Sequence, residues 1–184
     1  GNANTTLMSS DDIRAELWGD AADQQSPDKV FQVMQKRTID ALLKGNDVVY
    51  DATNVNARRR VGFIKQLQYK VPNLDVECHI VVAPIDKCIE HQQLRDRVVP
   101  TYAIRRQATG FQVPGYDEPY NKIYVYNSYY NPTYLSTIQA ANVNVPQLSK
   151  WHQETVDKHT AMVEQYAREN KKKKYHSKQE KLIE

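Results

Sequence analysis

The sequence predicts an α/β fold in which a parallel sheet carries helices on both faces and a helical tail follows. Two observations lead there. From residue 5 to residue 127, short β-branched or apolar runs alternate with stretches of helical periodicity, in the order β-α-β-α-β. Within that order VECHIVVA (76–83) is almost continuously apolar, as parallel strands covered on both faces tend to be. A chain of 184 residues has room for one ordinary domain and an appendage, and its 26% charged and 40% apolar residues suit a globular protein.

TTLM (5–8) is the first strand, and SSDD leads from it straight into the helical stretch IRAELWG. SPDKVFQVMQKRTIDALLKG follows after a loop, with Ser26 at its N-cap, Pro27 at the first helical position and Gly45 at its end. Val30, Phe31, Met34, Ile39, Leu42 and Leu43 fall near helical spacing and give that helix an apolar face. DVVYDAT (47–53) is the next strand. Asn56 caps a helix that runs to Val71, because Pro72 cannot continue it. Helices over 85–94 and 101–108 follow VECHIVVA, and KIYVYN (122–127) alternates as the last strand. SYYNPTYLSTIQAANVNVPQ is turn-rich and reads as a linker, before a long helix that starts near Ser149. The expected organisation is a domain over 1–127, a linker over 128–148 and a helical extension over 149–184 that could open a second domain.

Several classes drop out on composition. A net charge of +3 is too small to imply a polyanion partner, so such a partner must be argued from local clusters. Cys78 and Cys88 lie outside any metal-ligand spacing, and reduced thiols in a cytoplasmic chain are the simplest account. No apolar run approaches membrane-spanning length, and GNANTTLMSS is too polar for a signal peptide.

Open parallel sheets bind ligands beyond the carboxyl ends of their strands. The first strand ends in SSDDIR (9–14) and the second in DATN (51–54), so both deliver carboxylates to one rim. Arg14 lies three residues after Asp11, on the same side of the helix. Plainer accounts exist. Asp11 and Asp12 suit the first turn of a helix, and Asp51 suits a strand-end turn. Two such ends on one rim favour a site. LRDRVVP (94–100) adds Arg95 and Arg97, which either clamp phosphate oxygens or sit on a solvated helix end. VVYDATNVNARRR (48–60) places three arginines at the start of a helix beside the rim.

Taken in order, SSDDIR, VVYDATNVNARRR, LRDRVVP, GFQVP and KIYVYN resemble the P-loop kinases of the polynucleotide 5′-hydroxyl kinase type, in the group that also holds the zeta-toxin kinases. The resemblance covers residues 5 to 127 and rests on the joint pattern. It implies a P-loop NTPase-like sheet, ATP and Mg2+ as cofactors, and nucleic-acid 5′ ends as partners. Asp11 matches the general base that takes the proton from the attacking 5′-hydroxyl. Arg14 matches the arginine that holds the acceptor near its terminal phosphate, and Asp51 the acid that orients that arginine. Thr53 and Asn54 stand beside Asp51 on the phosphate rim and, with Arg97, would meet the nucleotide. Arg95 matches a lid arginine that neutralises charge on the transferring phosphoryl group. Arg58, Arg59 and Arg60 would meet a nucleic-acid backbone, unless part of that cluster is only a solvated helix face. No metal-ligating set follows from the resemblance.

The chain also departs from that pattern. G-x-x-x-x-G-K-[ST] occurs nowhere in it, and Gly1 is the only glycine ahead of Asp11. In the family this loop follows the first strand, which is central in the sheet. The expectation is therefore a fold without that strand, with an unpaired slot between its neighbours and no cradle for the β/γ-phosphates. A phosphate loop upstream of Gly1 is the simplest account. A non-catalytic nucleic-acid-binding relative is the alternative, and a kinase for a small hydroxyl-bearing molecule is a further one. His91 stands where the family usually has a first lid arginine.

In the tail, Trp151, Val156, Met162, Val163 and Tyr166 mark an apolar stripe. His152 and His159 lie two helical turns apart and share a face. Their spacing weakly resembles the opening of an HD-type phosphohydrolase domain that some relatives carry. The His-Asp pair and later acid of that domain do not appear, and two histidines alone do not hold a catalytic metal. KKKK (171–174) is a solvated run or a weak phosphate-backbone contact.

Overall fold

The computed structural model describes residues 4–20, 26–95, 98–115, 117–127 and 145–180. Strand β1 (Thr5–Ser9) runs directly into helix α1 (Ser10–Trp18). Ser9 makes that junction possible: its backbone is extended, and its hydroxyl accepts the Asp12 N–H at 3.3 Å. Gly19 ends α1 at φ 76°, a left-handed cap that a residue without Cβ adopts freely, and its N–H reaches the Ala15 carbonyl at 2.7 Å.

Helix α2 (Pro27–Leu43) opens on Pro27, whose missing N–H would have had no partner in a first turn. Ser26 occupies the N-cap position but makes no side-chain cap bond. Strand β2 (Asp47–Asp51) follows. Asn56 then caps α3 (Ala57–Lys70) as the sequence predicts, accepting the Arg59 N–H at 3.0 Å. Beyond it come β3 (Glu77–Val82), α4 (Ile85–Gln92), α5 (Thr101–Gly110) and β4 (Lys122–Asn127). The tail helix α6 (Val145–Glu180) begins ahead of the expected start near Ser149, because Pro146 is tolerated in a first turn. The remainder of the expected linker, residues 128–144, lies outside the described residues.

Strands and helices alternate as expected, and the strands pair in parallel, as two separate two-stranded sheets: β1 with β2, and β3 with β4. Among the described residues no ladder joins β2 to β3. The strand ends are level: Ser9 lies beside Asp51, and Val82 beside Asn127.

Two apolar clusters hold these sheets to their helices. Met8 of β1, Ile13 of α1 and Val30, Met34 and Ala41 of α2 form the first, with Val48 and Tyr50 of β2 packed against it. Val30 and Met34 are fully buried, each contributing about 1.5–3 kcal/mol by leaving water. Thr38 shares their interior because its hydroxyl donates to the Met34 carbonyl at 2.9 Å. The second cluster joins Ile80 of β3, Val125 of β4 and Leu148 of α6, with Phe111 and Val113 beside them.

β3 corrects one expectation. Its apolar run suggested cover on both faces, yet Ile80 is buried while Val81 is 56% exposed. Leu7 and Val49, register partners in the other sheet, are exposed as well. Successive side chains of a strand point to opposite faces, so hydrophobicity alone does not tell which of them meets a helix. The stripe on α6 divides in the same way. Leu148 is buried and Trp151 and Val156 half-buried, while Met162, Val163 and Tyr166 are exposed.

Candidate functional site at the carboxyl rim of β1 and β2

Because Ser9 and Asp51 are register partners, the two strands end on one rim. The chain leaves β1 into the first turn of α1 and leaves β2 into a loop that ends at Asn56. Asp11 and Arg14, three residues apart on α1, form an ion pair in which Arg14 Nη1 donates to Asp11 Oδ1 at 2.6 Å. The Arg14 side chain is 9% exposed, whereas that of Asp11 is 59% exposed. A guanidinium taken that far out of water needs a close carboxylate to offset its desolvation, and the short charge-assisted bond supplies one. Ile13 beside it belongs to the first core cluster, which fixes the helix and therefore the guanidinium.

Asp51, Thr53 and Asn54 are all exposed on the same rim. Asn54 sits at φ 46°, a left-handed conformation that asparagine accepts more readily than most residues, and this turns the chain from β2 toward α3. Arg95 is exposed on the turn that follows α4, with His91 exposed on the last turn of that helix. Arg97 lies outside the described residues. The rim thus brings together Asp11, Arg14, Asp51, Thr53 and Asn54, and the described structure shows no contact between Arg95 and that group.

The arginine cluster separates into two kinds of residue. Arg58 and Arg59 are exposed. Arg60 is not, which corrects the expectation that all three face a nucleic-acid backbone or solvent. Its Nη2 and Nε donate to Glu118 Oε1 at 2.5 Å and Oε2 at 3.0 Å. Nη1 reaches the Asn54 carbonyl at 2.7 Å, and Nη2 also reaches the Gln112 carbonyl at 2.8 Å. Burial works against the charge on Arg60, but the bonds and field of Glu118 prevail and raise its pKa above the ordinary arginine value. Arg60, Ile64 and Leu67 are the buried residues of α3, at helical spacing. That spacing was the available signal, and a run of identical charges hid it.

Gln112 and Glu118 also carry weight that the sequence did not show. Gln112 N–H donates to the Val55 carbonyl at 2.9 Å, and its side-chain oxygen accepts the Ala57 N–H at 2.7 Å. One glutamine thereby satisfies an otherwise unpaired donor at the start of α3 and latches the end of α5 to the rim loop. Cys78, a free thiol, lies near Arg60 and Tyr120; burial pushes both its pKa and that of Tyr120 upward.

Of the two tail histidines, His152 does packing work. His152 meets Phe111 edge-on, with centroids 5.8 Å apart at 87°, and burial lowers its pKa. Among the described residues no group of three or more His, Cys, Asp or Glu is placed to hold a metal ion. No helix among them is long and apolar enough to cross a membrane.

Comparison with known proteins adds the family. No curated protein matches the chain. A family model described as an AAA domain matches residues 1–114, more than half of the 184, and takes in β1 to α5 with the whole carboxyl rim. The chain belongs to this AAA domain family, a family of P-loop NTPase-like kinases.

Proposed function

We propose that this chain forms the acceptor side of a kinase that phosphorylates the 5′-hydroxyl end of a polynucleotide. The observation that carries the reading is the Asp11–Arg14 pair, standing on the rim that Asp51 shares. Phosphoryl transfer asks the protein for positioning and charge neutralisation more than for covalent chemistry. Arg14 offers a planar fork suited to a phosphate, on a side chain held mostly out of water. Asp11 is exposed toward an arriving strand, and in this reading its carboxylate takes the proton as the acceptor oxygen attacks. In this reading Asp51 holds Arg14 in register, Thr53, Asn54 and Arg95 serve the phosphates, and Arg97 is assigned to them from the sequence alone. Arg58 and Arg59 meet the strand beyond its end.

ATP and Mg2+ are the cofactors of this reading. When bound, they supply the phosphoryl group and neutralise its charge. The chain itself has no G-x-x-x-x-G-K-[ST] and no described metal cluster, so no residue in it is assigned to the nucleotide cradle or the metal. Two free thiols suit a cytoplasmic protein.

Acceptor binding tests the proposal on these 184 residues. A 3′-labelled 5′-hydroxyl oligonucleotide is titrated and followed by fluorescence anisotropy. Arg14→Ala should weaken binding about tenfold or more, the effect of losing a charge-assisted hydrogen bond. A nucleoside, which has the hydroxyl but no phosphate, should compete poorly. Equal competition by the nucleoside would overturn the polynucleotide assignment and favour a small-molecule acceptor.

A further inference from the structure

Residues 52–74 and residues 98–115 carry no acidic residue, although the whole chain has 22 Asp and Glu. The first contains all of α3 and the second all of α5. Each holds an adjacent arginine pair, Arg58–Arg59 and Arg105–Arg106. Arg58, Arg59 and Arg106 are exposed and Arg105 is half-buried. Among the described residues none of the four forms an ion pair. Arg60 shows the contrast, since it has a buried carboxylate of its own.

The fold brings the start of α3 beside the end of α5. Gln112, two residues past the end of α5, is bonded through backbone and side chain to Val55 and Ala57, next to Arg58. Arg106 lies one turn before Gly110, a rise of about 6 Å. Helix stability does not explain the first pair. The first turn of α3 has no acidic residue and two exposed arginines, at the end where the helix dipole disfavours positive charge. A bound phosphate removes that penalty, since helix N–H groups and guanidinium forks both favour an anion there.

We propose that Arg58, Arg59, Arg105 and Arg106, gathered by the Gln112 latch, form a track for the phosphate backbone of a single-stranded nucleic acid. The inference rests on the polynucleotide reading and extends it: the rim takes the 5′ end, and the track takes the phosphates that follow. Arg105 and Arg106 then determine how strongly strand length counts. Backbone tracking of this kind needs neither base readout nor a closed pocket.

Binding of 5′-hydroxyl single strands of about 4 and about 16 nucleotides, labelled at the 3′ end, tests it across a salt series. Arg105→Gln with Arg106→Gln should weaken the long strand about tenfold. It should flatten the salt slope by about 0.7 for each phosphate that is no longer neutralised and leave the short strand within about twofold. Lys65→Gln with Lys70→Gln removes the same charge from later turns of α3 and should change little. On the unaltered protein, the long strand should shield Arg58, Arg59, Arg105 and Arg106 from an arginine-specific dicarbonyl reagent while leaving Arg168 reactive, a measurement that needs no variant. Equal losses from the arginine and lysine variants would mean bulk attraction only and overturn the track. Unchanged binding of the long strand or unshielded arginines would overturn it too. If Arg14→Ala still abolishes short-strand binding in that case, the acceptor site stands and only the track falls. If no strand binds the unaltered protein, both fall.

Discussion

Arg60 and Glu118, 58 residues apart in the chain, form a bidentate ion pair with side chains 5% and 6% exposed. The pair ties the first turn of α3 to the loop that leads into β4. Because Arg60 also holds the Asn54 and Gln112 carbonyls, it joins the rim loop and the end of α5 at one guanidinium.

Removing one member strands a charge in the interior. Glu118→Gln or Arg60→Met should each lower stability by about 3–5 kcal/mol. Arg60→Met with Glu118→Leu should cost clearly less than the two added together, because the double change leaves no unpaired charge. Denaturant midpoints of the four proteins check this. Strict additivity would mean that the pair does not act as a unit.

Asp11 is assigned to the acceptor hydroxyl and not to the nucleotide. In a form of the protein that carries a G-x-x-x-x-G-K-[ST] loop, Asp11→Asn should reduce turnover by about 10² to 10⁴ and leave the KM for ATP nearly unchanged. Steady-state rates decide between the roles. Turnover equal to that of the unaltered enzyme would make Asp11 a helix-terminus residue that steadies Arg14.

These 184 residues, which lack that loop, should bind Mg-ATP far more weakly than micromolar, or about −8 kcal/mol. Calorimetry on the chain as it stands is the measurement. A micromolar constant would show a nucleotide site built from other residues.

Tyr50 packs its ring 4.9 Å from that of Phe63, and burial pushes its pKa up to about 12 from 10.0. Above pH 10 the unfolded chain gives up this proton while the native state keeps it. The native state therefore loses stability relative to the unfolded chain as pH rises from 10 to about 12, and below 10 the contribution is intact. Tyr50→Phe should flatten the fall in melting temperature across that window.

His152 behaves in the opposite sense. Burial lowers its pKa beneath 6.5, so its contribution is present above 6.5 and is lost as pH falls below it. Protection factors of the amides in the first turns of α6 should fall as pH drops below 6.5, where His152 must charge against Phe111. His152→Gln should remove the acid sensitivity, and equal protection factors above and below pH 6.5 would refute the assignment.

The sequence by itself determined the local structure. The Pro27 start of α2, the Asn56 cap of α3 and the switch between strand and helical periods depend on neighbours within a few residues. The placement of Asp11 and Arg14 on one side of α1 is equally local, because three residues make nearly one turn. What tertiary structure alone decided lies at longer range. Whether Val81 meets a helix or solvent depends on what packs against β3, and hydrophobicity does not encode that. Which arginine of Arg58, Arg59 and Arg60 is buried depends on Glu118, reached only after two helices intervene. Gln112 becomes a latch only when the end of α5 arrives beside Val55 and Ala57. A hydrogen bond or ion pair needs its partner within about 3 Å, and between such distant residues only the folded chain supplies that distance.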